Sequence, residues 1–144
     1  MFERTATNAA IYPRIDLHLS ASYAMTNSEK IEFGTYTREV GQTVTLVNNT
    51  ANQTVCTIDA TAVRAVQINY TVTRDTTTRT GVITLVASTD GTGGDLLSND
   101  NGFQNASTGV TFSASETSSI ITLKASTTNT GVDGLINYSI THLA

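Results

Sequence analysis

The sequence predicts an all-β fold: an antiparallel sandwich or jelly-roll-like domain with an extended N-terminal arm. Apolar and polar residues alternate with period two along several segments, as expected for strands with one buried face. Threonine, whose branched Cβ favours strands, supplies about one in five of the 144 residues. Short segments of this kind follow one another at near-regular spacing between turns, and none keeps a helical 3.6-residue period, which is typical of sandwiches and barrels.

The N-terminal residues 1–14 show no clear period and contain the only proline, Pro13. Proline biases the preceding residue, Tyr12, towards an extended conformation. We therefore predict an arm over residues 1–14 that docks on a neighbouring molecule. The remaining residues, 15–144, have the length of one domain and are predicted to form a single β domain.

Several strands are predicted in the first half of that domain. Residues 15–25 alternate strictly between apolar and polar side chains, so they form the first strand. A short second strand is predicted over residues 31–37, and residues 38–42 read as a turn. Strands centred on residues 43–49 and 54–58 follow.

The central pattern is a hairpin. Val66, Ile68, Tyr70 and Val72 share one face of a long alternating strand, and the next strand, residues 80–88, has apolar residues on both sides, which predicts burial on both faces.

Two arginines, Arg74 and Arg79, flank the polar tip of this hairpin. We expect them near the strand ends, about opposite one another, and either splayed apart or paired with a carboxylate such as Asp75. The tip has threonines where an anion-binding loop would have glycines. It is therefore predicted to be a structural turn with potential for partner contact.

Residues 89–109 are rich in glycine, Asp and Asn and are predicted to be one long loop. Asp90, Asp95 and Asp100 within it offer oxygen ligands for a hard cation, but their order does not match an EF-hand. We predict a solvated turn cluster and nominate no metal site. Three more strands follow, the last with Ile136, Tyr138 and Ile140 on one side.

Composition limits the partners. The net charge is −4, charged residues make up 14%, and no basic stripe is present, so no nucleic-acid partner is predicted. No apolar run approaches the ~20 residues of a membrane span, and the N-terminus lacks the pattern of a signal peptide. We predict synthesis in a host cytoplasm and no membrane partner. The single cysteine, Cys56, precludes an internal disulfide and is expected to be buried.

No catalytic constellation is apparent. His18 lies two residues from both Asp16 and Ser20 on one strand face, roughly 7 Å apart and outside hydrogen-bond reach. His142 is close to the C-terminus, and the acidic residues are scattered. The sequence predicts a protein that is not an enzyme, with no catalytic residues and no cofactor.

The second half of the chain resembles a β module common among structural proteins of tailed bacteriophages. The resemblance depends on a strand with Tyr70, Val72 and Arg74, followed by the Arg-Thr-Gly turn at residues 79–81. It continues through a Gly-Val-Thr-Phe strand at residues 109–112, an Asn-Thr-Gly turn at residues 129–131 and a closing strand with Tyr138.

This resemblance implies a virion component, usually trimeric. The short chain and its arm favour a capsid decoration (cement) protein: a homotrimer on the major capsid protein, at the capsid surface. The alternative is a tail-fibre or receptor-binding tip that engages a host surface glycan or receptor. The candidate partner contacts are Phe2, Arg4, Tyr12, Arg14, Arg74 and Arg79.

Overall fold

The computed structural model describes residues 30–33 and 36–143, and the side chains from residue 38 onward. These residues form an all-β fold of nine antiparallel strands, without a helix, which confirms the predicted class. The strands are β1 (Lys30–Phe33), β2 (Tyr36–Leu46), β3 (Gln53–Asp59), β4 (Ala65–Arg74), β5 (Thr77–Val86), β6 (Leu97–Gln104), β7 (Val110–Thr117), β8 (Ile120–Thr127) and β9 (Gly134–Leu143). The predicted arm over residues 1–14 and the predicted strand over residues 15–25 lie outside the described residues.

The strands form two sheets. The larger has six strands in the order β1-β2-β9-β4-β5-β6, and the smaller has three in the order β3-β8-β7. The chain returns at its end to place β9 between β2 and β4, where it pairs with both along most of its length. The inward faces of the two sheets enclose one apolar core.

The core is built from alternate residues of the strands. Val66, Ile68 and Val72 of β4 are fully buried, and so is Ile136 of β9. The predicted inward faces of these two strands are thereby confirmed. Tyr138 lies on the same inward side of β9, and its hydroxyl donates a hydrogen bond of 3.2 Å to the carbonyl of Val55 in β3. This bond joins the two sheets through the core.

The start of the large sheet differs from the prediction. The turn expected over residues 38–42 is wrong, because β2 runs continuously and only its register with β9 shifts between Glu39 and Gln42. Gly41, with φ of 72°, lies in this β-bulge, which interrupts the alternation without ending the strand. The single strand predicted over residues 31–37 is also wrong, because β1 pairs antiparallel with the start of β2.

The predicted loop over residues 89–109 contains a strand. β6 pairs with β5 from Val86↔Leu97 to Arg79↔Gln104 without a break in register. The outward face of β5 is not covered by a described residue, so Ile83 and Leu85 are buried while Val86 stays 38% exposed. The prediction that β5 is buried on both faces is therefore wrong.

Candidate interaction face

The outward side of the six-stranded sheet carries no charged residue across four adjacent strands. We call this surface the neutral face. It consists of the odd-numbered residues of 135–143 in β9, 65–73 in β4 and 97–103 in β6, together with the even-numbered residues of 78–86 in β5. Its side chains are threonine, asparagine, serine and glutamine, with a few apolar residues. Because hydroxyls and amides lose less solvation than ions when covered, such a surface can be buried cheaply.

Charge begins only at the margin of the neutral face. Arg38 of β2 lies beside β9, and its guanidinium is 3.5 Å from the hydroxyl of Ser139. The outer side of the three-stranded sheet is different, because Lys124 is in the middle of its central strand, β8. The two outer surfaces of the sandwich therefore differ in charge pattern.

Side chains on the neutral face and at its margin form hydrogen bonds across the strands. Thr43 of β2 donates to the Asn137 amide oxygen at 2.9 Å. Thr71 donates to the Thr80 hydroxyl at 3.4 Å, and Thr80 donates to the carbonyl of Tyr70 at 3.1 Å. These cross-strand pairs fix the positions of the polar groups on the neutral face.

The centre of the neutral face is a shallow depression of about 560 Å³. Asn69, Asn101 and Asn137 line it together with neighbouring threonines, and Phe103 of β6 stands at its edge. Phe103 is 75% exposed, a large fraction for an aromatic side chain. An exposed ring beside several amides offers both an apolar contact and hydrogen bonds to a second molecule.

One end of the neutral face is apolar. Leu143, Ala65, Val86 and Leu97 form a single row across β9, β4, β5 and β6, as their pairing shows. Leu97 is 65% exposed. Leu97 and Phe103 lie near opposite ends of β6. The two most exposed apolar side chains of the neutral face are therefore both on this edge strand.

Beneath the neutral face, three polar side chains fix β6 to the rest of the domain. The Tyr70 hydroxyl donates to Asp100 Oδ1 at 2.8 Å, and the Arg79 guanidinium forms an ion pair with Asp100 Oδ2. Arg79 also donates to the carbonyl of Val110 in β7, at 2.9 Å. Its guanidinium carbon lies 5.6 Å from the centre of the Phe112 ring, within cation–π range. We call Tyr70, Arg79 and Asp100 the β6 anchor.

Burial of the Tyr70 phenol, together with its hydrogen bond to the Asp100 carboxylate, raises the pKa of Tyr70 to about 12. The phenol therefore stays neutral and acts as a donor throughout the physiological pH range.

Arg74 takes part in a different network, at the hairpin end of the sandwich. It is 3% exposed. Its guanidinium donates to the carbonyls of Val132 at 2.9 Å, Thr108 at 3.2 Å and Thr128 at 2.7 Å, and to the Asn48 amide oxygen at 2.5 Å. One side chain thus connects three loops that converge on this end of the domain.

The hairpin between β4 and β5 is tighter than predicted. Arg74 pairs with Thr77, and only Asp75 and Thr76 lie between them, with Asp75 at a φ of 53°. Arg79 therefore faces Val72 and not Arg74. The carboxylate expected beside the arginines is also different, because Arg79 pairs with Asp100 and not with Asp75.

The six predicted contact residues separate into two groups. Phe2, Arg4, Tyr12 and Arg14 lie outside the described part of the chain. Arg74 and Arg79 lie inside it, and both direct their guanidinium groups to acceptors within the domain. Contact of these two arginines with a partner stays a prediction. Arg74 has very little accessible surface for such a contact.

The acidic residues of segment 89–101 do not converge. Asp90 accepts from the backbone and hydroxyl of Thr92, and these bonds lower the pKa of its carboxyl. Asp95 accepts from Thr89 in the same manner, and Asp100 belongs to the β6 anchor. Over residues 30–33 and 36–143, no group of three or more His, Cys, Asp or Glu side chains is arranged to hold a metal ion.

Cys56 of β3 packs against the core. Burial, reinforced by the charge of Glu39, raises the pKa of its thiol to about 12. The thiol is therefore protonated at neutral pH and a poor nucleophile. Glu39, in the first half of β2, also lies close to a histidine of the neighbouring strand β9: His142 Nε2 is 3.5 Å from Glu39 Oε1.

Comparison with known proteins adds no relative. The chain matches no protein-family model, no curated protein and no solved structure. Within the described ranges, no helix has the length and apolar character that crossing a membrane would require. The interpretation of the neutral face therefore depends on its own chemistry.

Proposed function

We propose that the protein is a virion structural protein of a tailed bacteriophage, a capsid decoration (cement) protein that stabilises the assembled head as a homotrimer. The observation that carries this proposal is the neutral face, an extended surface without charge on a chain whose sequence resembles phage virion modules. The neutral face is the surface through which copies contact one another. The major capsid protein is the second partner.

The size of the neutral face suits one part of a trimer interface. Four strands and five rows of side chains cover roughly 27 Å by 19 Å, or about 500 Å². In a ring of three copies the contacts are head-to-tail, so each neutral face divides its area between two neighbours and each contact removes about 500 Å² from water, half of the about 1,000 Å² expected of a specific interface. Leu97 and Phe103 add exposed apolar area at one edge. Contact between the faces desolvates no charge, so little electrostatic cost opposes the apolar gain.

The mechanism of stabilisation is physical. A trimer that binds only the assembled shell shifts the equilibrium towards assembly by mass action. Three weak contacts held by one trimer act together, because after the first contact forms the others become intramolecular. The arm over residues 1–14, with Phe2, Arg4, Tyr12 and Arg14, is the proposed contact with the shell. In this arrangement the neutral face serves self-assembly and the arm serves attachment.

The test separates these two roles. A variant that lacks residues 1–14 and the full chain are mixed with undecorated heads, and binding is measured by co-sedimentation. The full chain should bind at hundreds of copies per particle, and the truncated variant should remain trimeric but stay in the supernatant. Normal decoration by the truncated variant would contradict the role of the arm. Binding of the full chain to tails alone would contradict the capsid assignment.

The alternative, a tail-fibre or receptor-binding tip that engages a host glycan, is favoured by one observation. The depression on the neutral face combines an exposed aromatic ring, Phe103, with the amides of Asn69 and Asn101. Sugar rings stack on aromatic faces, and their hydroxyls bond to amides. Under this alternative the depression faces solvent in the assembled particle.

A glycan array distinguishes the alternative. Retention of a glycan by the wild-type chain and its loss in Phe103→Ala would support a receptor-binding tip. The matched control is Leu97→Ala, which removes an exposed apolar side chain of the same strand outside the depression. Absence of retention by the wild-type chain at millimolar glycan would leave the decoration proposal as the better account.

A further inference from the structure

Among the described residues, β6 is an edge strand of the six-stranded sheet. It pairs with β5 on one side, and no described residue pairs with it on the other. The amide of Asn105, just beyond β6, donates to the Thr78 carbonyl of β5. Since amides alternate in direction along a strand, those of Ser98, Asp100 and Gly102 point away from β5. An edge of this kind is a template for a further strand.

β6 also lacks the features that usually prevent an edge strand from pairing with another chain. Charged side chains, prolines, bulges and short length are the usual protections. β6 has eight residues in unbroken register, no proline and no lysine, and its one acidic residue, Asp100, is turned inward to the β6 anchor. Leu97 and Phe103 leave its outward side partly apolar.

The other three sheet edges in the described part of the chain are less open. β1 has only four residues, and the pairing of β3 with β8 shifts between Thr54 and Cys56. β7 is as long as β6, but it is covered near both ends. Arg79 bonds to its Val110 carbonyl, and Gly93 packs against Glu116, where a Cβ would lie 2.7 Å from the carbonyl oxygen.

The chain itself contains a strand-like segment that suits this edge. Residues 15–25 alternate between apolar and polar side chains and carry a single acidic residue, Asp16. They are long enough to cover all eight residues of β6. Their apolar side chains, placed on the outward side, would continue the apolar groups Leu97 and Phe103.

The distance along the sheet decides which copy supplies the segment. A strand added beyond β6 would lie six strand spacings from β1, about 29 Å away measured along the sheet. Only residues 26–29 connect the segment to Lys30, and such a link spans at most about 18 Å. A copy therefore cannot place its own residues 15–25 on its own β6. The edge is within reach only of another copy.

We propose that residues 15–25 of one copy add as a strand to β6 of the next. The inference rests on the proposed homotrimer and names the contact that closes it. The exchange is a head-to-tail contact in which each copy gives a segment and receives one, and it closes as a ring at three copies. The neutral face and the added strand then form one continuous interface.

The test is disulfide trapping between two differently tagged chains in a Cys56→Ala background. One chain carries Leu17→Cys, Leu19→Cys or Ala21→Cys, and the other carries Asn99→Cys or Asn101→Cys. The pairs are co-expressed and oxidised, and the products are mapped by mass spectrometry. The positive control is Thr71→Cys with Thr80→Cys in one chain, whose hydroxyls already lie 3.4 Å apart.

We expect at least one pair to give a disulfide between the two tagged chains as the main product. If the control disulfide closes and no pair links the chains, strand exchange is wrong. A further chain carries both cysteines of a pair, and a disulfide within that single chain would lead to the same conclusion. Molecular mass, measured in parallel, distinguishes the failures: a trimer without the disulfide refutes the exchanged strand alone, whereas a monomer refutes the proposed homotrimer as well.

Discussion

Gly81 of β5 and Gly102 of β6 lie directly opposite one another, and neither position has room for a side chain. A Cβ on Gly81 would lie 2.6 Å from the Asn101 carbonyl oxygen and 2.9 Å from the Tyr70 hydroxyl. The space that these glycines leave is occupied by the side chains of the β6 anchor. β6 can therefore approach β5 closely although it contributes almost nothing to the apolar core.

Replacement of Gly81 by alanine should displace β6. Because the neighbouring atoms are backbone, the clash cannot be relieved by a rotamer change, and we expect the free energy of unfolding to fall by about 2–4 kcal/mol in urea titrations. Gly94→Ala is the matched control, since its Cβ would meet only the Thr92 hydroxyl, at 3.9 Å. Equal effects of the two substitutions would contradict the close approach.

Loss of the ion pair in the β6 anchor should also weaken the domain. Asp100→Asn removes the charge that faces Arg79, and Arg79→Met removes its partner. Each should cost about 1–3 kcal/mol, because the remaining group is left partly buried without its charge partner. A double-mutant cycle of urea titrations measures their coupling. Simple additivity of the two effects would show that the pair contributes no coupling energy.

Arg74 should be the least replaceable of the arginines in the described part of the chain. A lysine in its place has one nitrogen and cannot reach acceptors on three separate loops, so Arg74→Lys should reduce the free energy of unfolding by about 2–4 kcal/mol. The control is Arg38→Lys, at an exposed position beside β9. Thermal unfolding of both variants tests the difference. An Arg74→Lys protein as stable as Arg38→Lys would contradict the network.

Stability should fall at high pH. Burial raises the pKa of Tyr70 and of Tyr138 from 10.0 to about 12 in the folded state. A tyrosine whose pKa is raised by folding contributes stability that is complete below about pH 10 and is lost as the pH rises towards 12. Urea midpoints measured from pH 8 to 12 should be level and then fall, and the fall should be smaller in Tyr138→Phe. A urea midpoint that stays constant up to pH 12 would contradict the raised pKa values of the two tyrosines.

The sequence predicts those parts of the fold in which burial imposes a pattern. β4 and β9 each bury one face against the other sheet, so residues such as Ile68 and Ile136 alternate with polar neighbours and reveal the strands. β6 buries neither face, and its composition resembles that of a loop. Its strand conformation comes from pairing with β5 and from the β6 anchor, which are long-range contacts without a local signal.

The candidate face could be predicted only in part. The alternation of β4 and β9 already shows that their outward residues lack charge. Joining them to β5 and β6 needs the strand order and the register, which the sequence does not contain. The partner of Arg79 was missed for the same reason, since Asp100 is distant along the chain and adjacent only once β6 pairs with β5.

The most direct test of the account is the solution mass of Asn69→Lys, which places one charge in the centre of the neutral face. Thr57→Lys places the same charge on an exposed position of the three-stranded sheet and is the matched control. By analytical ultracentrifugation, the wild-type chain and Thr57→Lys should sediment at three times the 15.3 kDa chain mass, and folded Asn69→Lys as a monomer. A trimeric Asn69→Lys, or a monomeric wild-type chain, would contradict the proposal that the neutral face holds the copies together.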